Sequence, residues 1–146
     1  MKIVRSVLAI VLGMAVVTVV SEGIEFALVT ALNGSVTTDL PRYFAVRNQP
    51  GVLAAKLVYN GLGALLGGYV AAAVAGRAPL AHGIVVAVLQ LAGLLWGMLF
   101  SEYKDTSPTW LWLALAASMT PLIVAGAWLR GRRRPASMRR SAAPAN

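Results

Sequence analysis

Long apolar runs separated by short polar breaks organise this chain. Residues 6–21, 57–76, 78–101 and 106–129 carry no Asp, Glu, Lys or Arg, and each of the last three runs is long enough for a helix to cross ~30 Å of hydrocarbon. The pattern predicts an all-α integral membrane protein: an antiparallel bundle of four transmembrane helices over about 3–32, 52–75, 80–100 and 109–129, forming one membrane domain over 1–130. The first run is interrupted near its far end by Glu22 and Glu25. No helix breaker follows before Asn33-Gly34, so the helix is expected to continue through both carboxylates. At 1.5 Å per residue it reaches about 45 Å, longer than the hydrocarbon, so tilt or protrusion is expected.

The connection after it holds Gly34, Pro41, Pro50 and Gly51 as turn signals, with Tyr43 and Phe44 as interfacial anchors, and it is long enough to fold back onto the membrane. Trp110, Trp112 and Trp128 mark the two ends of the last helix, which Pro121 is expected to kink. Residues 131–146 are basic, small and proline-containing, which predicts a disordered cytoplasmic tail. The N-terminal run is too long for a signal-peptide core of about 7 to 15 residues and reads as an uncleaved span.

Small residues fall at packing spacings. Gly63 and Gly67 in the second run, and Gly93 and Gly97 in the third, each form a GxxxG pair that permits close helix approach. Two such faces on consecutive helices predict a tight hairpin, or a dimer face where they point outward.

Composition adds exclusions. The chain is 58% hydrophobic and 12% charged, against about 25% charged in soluble domains, and its mean hydropathy is +0.72. It has no cysteine and a single histidine, His82, which argues against disulfides, thiolate chemistry, metal centres and bis-His haem. No cofactor is expected. No nucleophile–base pair or metal cluster is visible, so no enzymatic activity is expected either.

The formal charge of +8 is topogenic in its distribution. Nine basic residues, Lys2, Arg5, Arg77, Arg130, Arg132, Arg133, Arg134, Arg139 and Arg140, fall on one side of the predicted bundle. Arg42, Arg47, Lys56 and Lys104 fall on the other, which places both termini in the cytoplasm. Arg130, Arg132, Arg133 and Arg134 are candidate lipid-headgroup contacts, at up to ~1 kcal/mol per charge. With no aromatics interleaved among them, nucleic acid is not an expected partner.

Candidate chemistry concentrates in four residues. Glu22 and Glu25, three apart, share one side of a helix, and an ionised carboxylate in a membrane requires a partner. In the hairpin of the first two spans Lys56 falls level with them, and Asn60 lies one turn further along. A polar cluster of Glu22, Glu25, Lys56 and Asn60 is therefore predicted near the external surface. One lysine cannot neutralise two carboxylates, so one of them is left to exchange protons or bind a cation. The plainer reading is a structural ion pair joining two helices. Gln90, mid-span, is expected to make a helix–helix polar contact or, alternatively, to touch a substrate. His82 reads as an interfacial polar residue.

Lys2-x-x-Arg5-Ser6, Gly67-Gly68-Tyr69-x-Ala71 and Arg77-x-Pro79-x-x-His82 resemble the small four-span inner-membrane proteins encoded in many bacteria without assigned activity. The resemblance implies a bacterial inner-membrane location and a four-helix bundle. The chain is also similar in span number to small multidrug transporters, which work as dimers around a glutamate in the first helix. Glu22 or Glu25 would take that role, although both lie near a helix end rather than mid-span. The expected function is a structural, regulatory or accessory-subunit role in a membrane complex, with a dimeric proton-linked transporter as the alternative. Expected partners are the lipid bilayer and either a second copy of the chain or a larger membrane complex.

Overall fold

A computed structural model describes residues 2–133, which form five α-helices and no strand. They are α1 (Lys2–Asn33), α2 (Leu40–Arg47), α3 (Pro50–Ala75), α4 (Pro79–Phe100) and α5 (Thr109–Arg132), with one turn of 3-10 helix at Lys104–Thr106. The helices α1, α3, α4 and α5 are long and apolar enough to cross a membrane. Local signals set their limits. Helix α1 runs unbroken past both glutamates and stops at Gly34, whose φ of 78° favours glycine. Prolines stand in the first turns of α2, α3 and α4, where a missing N–H costs nothing. Helix α5 continues through Pro121.

Helix α5 also extends to Arg132, so the first two residues of the predicted tail are helical. There the Arg132 guanidinium lies 3.7 Å from the Trp128 ring centroid. Arg130 and Arg133 close the same end of the described chain. The rest of the predicted tail, with Arg134, lies outside the described residues.

Alternating chain direction is fixed by contacts at both ends. At the end holding the start of α1, Arg5 Nε donates to the Val74 carbonyl at 2.7 Å. At the opposite end Asn48 Nδ2 donates to the Thr106 carbonyl, tying the α2–α3 junction to the segment before α5. Helix α3 is the central element, packed most extensively against α5 and α1. Half of its most apolar stretch is buried, against 17% in α1 and α4.

What distinguishes inside from outside is side-chain size more than polarity. The buried residues of α1, namely Ala9, Gly13, Val17, Ser21, Glu25 and Val29, repeat every four positions, one ridge of an i±4 packing surface. Exposed Val4, Val11, Val19 and Phe26 on the same helix are as apolar as anything inside. Against that ridge α3 sets Gly63 and Gly67. A methyl on Gly67 would collide with Val17, and one on Gly63 would lie 3.1 Å from Ser21 Oγ. A second seam joins α3 to α5, where added methyls on Gly68 and Gly126 would fall on the backbone carbonyls of Ile123 and Leu65.

The glycine pairs therefore pack differently from the expected hairpin. Gly63 and Gly67 seat α1, not α4. Gly93 has nothing within 4 Å of where a Cβ would stand, and Gly97 gives room to the Trp112 ring rather than to a helix backbone. The contact between α3 and α4 is the lesser one, because the small-residue faces of α3 are already occupied by α1 and α5.

Four helices meet closely only toward the end that holds the start of α1 and the close of α5. Gly13 of α1 faces Ala71 of α3 and Val86 of α4, and Gly83 of α4 faces Ala127 of α5. The buried residues of α4 are Gly83, Val86 and Ala87 alone. From Gln90 onward α4 is half-buried or exposed, so the bundle opens toward α2.

Candidate functional site

Four side chains from α2 and α3 converge on one carboxylate of α1. Glu25 is 3% exposed. Its Oε2 accepts hydrogen bonds from Lys56 Nζ and, at 2.9 Å, from the Tyr59 hydroxyl. Its Oε1 accepts from the Tyr43 hydroxyl at 3.3 Å and lies 2.8 Å from Arg47 Nε. That last contact is an ion pair held by charge, because the Nε–H makes no directed hydrogen bond. Periodicity explains the convergence: Tyr43 and Arg47 are four apart on α2, Lys56 and Tyr59 three apart on α3, and each pair shares a helix face. Asn60, one turn beyond Lys56, donates from Nδ2 to the Lys56 carbonyl at 2.9 Å and is buried with it.

Glu25, Lys56 and Asn60 are thus brought together as the sequence predicts, and Glu22 is not. Three residues at 3.6 per turn fall about 60° short of a full rotation. That offset places Glu25 in the α1–α3 seam and leaves Glu22 on its edge, exposed and without a hydrogen bond or ion pair among the described residues. The charge problem of two carboxylates facing one lysine is also resolved differently. Glu25 has two cations, and the second, Arg47, comes from α2, a helix within the segment whose Gly and Pro signals predict a connection.

Beside this cluster, where α4 diverges, lies a cavity of about 140 Å³. Its walls include Ser21 and Glu22 of α1, Arg47 of α2, Lys56 and Asn60 of α3, Gln90 of α4, and Ser107 and Trp112 at the start of α5. Gln90 therefore faces a cavity, and it makes no hydrogen bond to another helix among the described residues. Ser21 Oγ, Ser107 Oγ and Trp112 Nε1 are buried without a hydrogen-bond partner among the described residues. No group of three or more metal-ligating side chains occurs among the described residues.

Helix α2 closes the open end over cluster and cavity. Besides Arg47 it contributes Phe44, whose ring lies 5.7 Å from Tyr43, 6.0 Å from Tyr103 and 5.3 Å from the Arg47 guanidinium. Burial, then the charge and hydrogen bond of Glu25, push the Tyr43 phenol up to about 12 from its ordinary 10.0. A folded-state value above the unfolded one means that the proton is held more tightly by the fold. The Tyr43 contribution to stability is therefore complete below pH 10 and is lost as pH rises toward 12. Tyrosinate absorbance titration of the wild type and of Tyr43→Phe is expected to differ by one phenol ionising well above the ordinary value. A missing phenol that ionises at the ordinary value would show that Tyr43 does not face Glu25.

The sequence reading missed Arg47, Tyr43 and Tyr59 as partners of Glu25, and Ser21, Ser107 and Trp112 as cavity residues. One signal was available: Asp39-Leu40-Pro41 is a helix-start pattern, and a helix from Leu40 puts Tyr43 and Arg47 on one face. No protein-family model, curated protein or solved structure matches the chain.

Proposed function

We propose that the chain is a multi-pass protein of a bacterial inner membrane, with both termini cytoplasmic, and that its role is non-catalytic: structural, regulatory or as an accessory subunit of a membrane complex. The saturation of Glu25 carries this reading. With two cations and two phenols around its two oxygens, this carboxylate is committed to partners within the protein, and it fastens α1, α2 and α3 together. The excess of basic residues beside the terminal end supports the orientation, and the resemblance to small four-span proteins supports the location. Purification in mild detergent is expected to yield the chain with other membrane subunits. Recovery as a lone chain would count against an accessory role.

The cavity favours a second reading, proton-linked transport through Glu22, the carboxylate that is both unpaired and cavity-lining. Liposomes containing the purified chain and a trapped pH indicator separate the two. The first reading expects no proton flux above that of empty liposomes. A flux abolished by Glu22→Gln, in a variant as stable as the wild type, would establish the second.

A further inference from the structure

We propose that the groove between the start of α4 and the close of α5 holds the headgroup of one anionic phospholipid, with an acyl chain running down α4; this rests on the multi-pass reading above. The groove has a volume of about 240 Å³ and is lined by Pro79, Leu80, Trp128, Gly131 and Arg132. Gly131 keeps it open, because a methyl there would stand 3.1 Å from Pro79 Cγ. Trp128 is exposed, and the Arg132 guanidinium stacks on its ring at 3.7 Å from the centroid. Stacking holds the guanidinium plane in place and leaves its edge N–H groups pointing outward, where a phosphate can accept two of them side by side. Arg132 makes no ion pair or hydrogen bond among the described residues, so that fork is unused by the protein.

Charge at this end of the bundle has one sign. Among the described residues it carries Lys2, Arg5, Arg77, Arg130, Arg132 and Arg133 and no acidic side chain. The five acids of the chain, Glu22, Glu25, Asp39, Glu102 and Asp105, all lie toward the end that α2 closes. An uncompensated basic end attracts an anionic headgroup and repels the cation of a zwitterionic one. Apolar surface then selects a lipid over a free phosphate. Leu80 borders the groove, and Ile84 and Val88 continue its line at successive turns of α4, all three exposed. From Leu80 to Val88 that line runs ~12 Å along the helix. A tryptophan beside an arginine is the pairing expected at headgroup depth, with the apolar line below it at the depth of the acyl chain.

The test reconstitutes the full chain in nanodiscs of phosphatidylcholine with graded phosphatidylglycerol and reads the lipids retained on release by native mass spectrometry. One phosphatidylglycerol per chain is expected to be retained, at least about tenfold in preference to phosphatidylcholine. Soluble glycerol phosphate should not displace it, since it lacks the acyl chain. Arg132→Lys keeps the charge but loses the fork and the stack, and should lower the preference at least about threefold. Arg133→Lys makes the same exchange outside the groove lining and should leave the preference unchanged. Carbonate extraction of the chain from vesicles of the same lipids is measured alongside. A chain that carbonate extracts would overturn the multi-pass reading and the groove site with it. A chain that stays inserted yet retains both lipids equally, yields its phosphatidylglycerol to glycerol phosphate, or keeps its full preference in Arg132→Lys would overturn the groove site alone.

Discussion

Glu25→Gln is expected to destabilise the folded chain by about 3–5 kcal/mol, the cost of removing one member of a buried ion pair and leaving its partner uncompensated. Lys56 is the reason for so large an effect: it is 5% exposed, and its ammonium has no acceptor other than Glu25 among the described residues. Arg47 contributes less, because its side chain retains 15% exposure and can turn outward. A glutamine keeps the shape and can still accept from the Tyr59 hydroxyl, so the loss isolates charge from packing. Removing both ends of the pair provides the decisive comparison. Glu25→Gln with Lys56→Met should recover most of the stability, since replacing a whole buried ion pair by groups of similar volume is often neutral or better. Denaturant or thermal unfolding followed by circular dichroism in detergent reads both variants. A double variant as unstable as the single one would mean that Lys56 is not the group stranded by the glutamine.

Gly68→Ala should be the most damaging of the conservative substitutions. Its new methyl falls on the Ile123 carbonyl, and neither backbone can yield without opening the α3–α5 seam. Overpacking by one methylene typically costs about 1–3 kcal/mol where side chains can adjust. Here no flexible side chain intervenes, so the upper part of that range or beyond is expected. Gly126→Ala probes the same seam from the other helix, with its methyl on the Leu65 carbonyl, and should match it. Gly93→Ala is the control. Open space surrounds that position, and exchanging a mid-helix glycine for alanine should stabilise by about 0.5–1 kcal/mol. If Gly93→Ala were as damaging as Gly68→Ala, the assignment of the packing seams to α3 would be wrong.

The helices were legible because their signals are local. Uncharged length, proline at helix starts and Asn33-Gly34 at a helix end each act within a few residues. The pairing of Glu25 with Lys56 was legible for a related reason: a hairpin of two spans brings those levels together whatever its details. Helix partnership was not legible. A GxxxG pair states that a backbone comes close but not whose, and α3 carries small residues on two faces, so Gly63 and Gly67 could be assigned to α4 by adjacency when α1 and α5 occupy those faces. Cavity residues were hidden for the opposite reason. Ser21, Ser107 and Trp112 look ordinary in sequence, and which of them border a cavity depends on how α1, α4 and α5 pack.

The cluster around Glu25 is complete only once α3 has been made. Its carboxylate is synthesised first, and Lys56 follows 31 residues later, with α2 between them. In a bilayer α1 alone would hold an acid with no counter-charge, which is costly until α3 supplies Lys56. In the multi-pass arrangement proposed above, the charge-balanced unit is then not the single helix α1 but the hairpin of α1 and α3. An interruption of synthesis between residues 33 and 56 would leave a segment with the length to cross a membrane but not the charge balance to remain there.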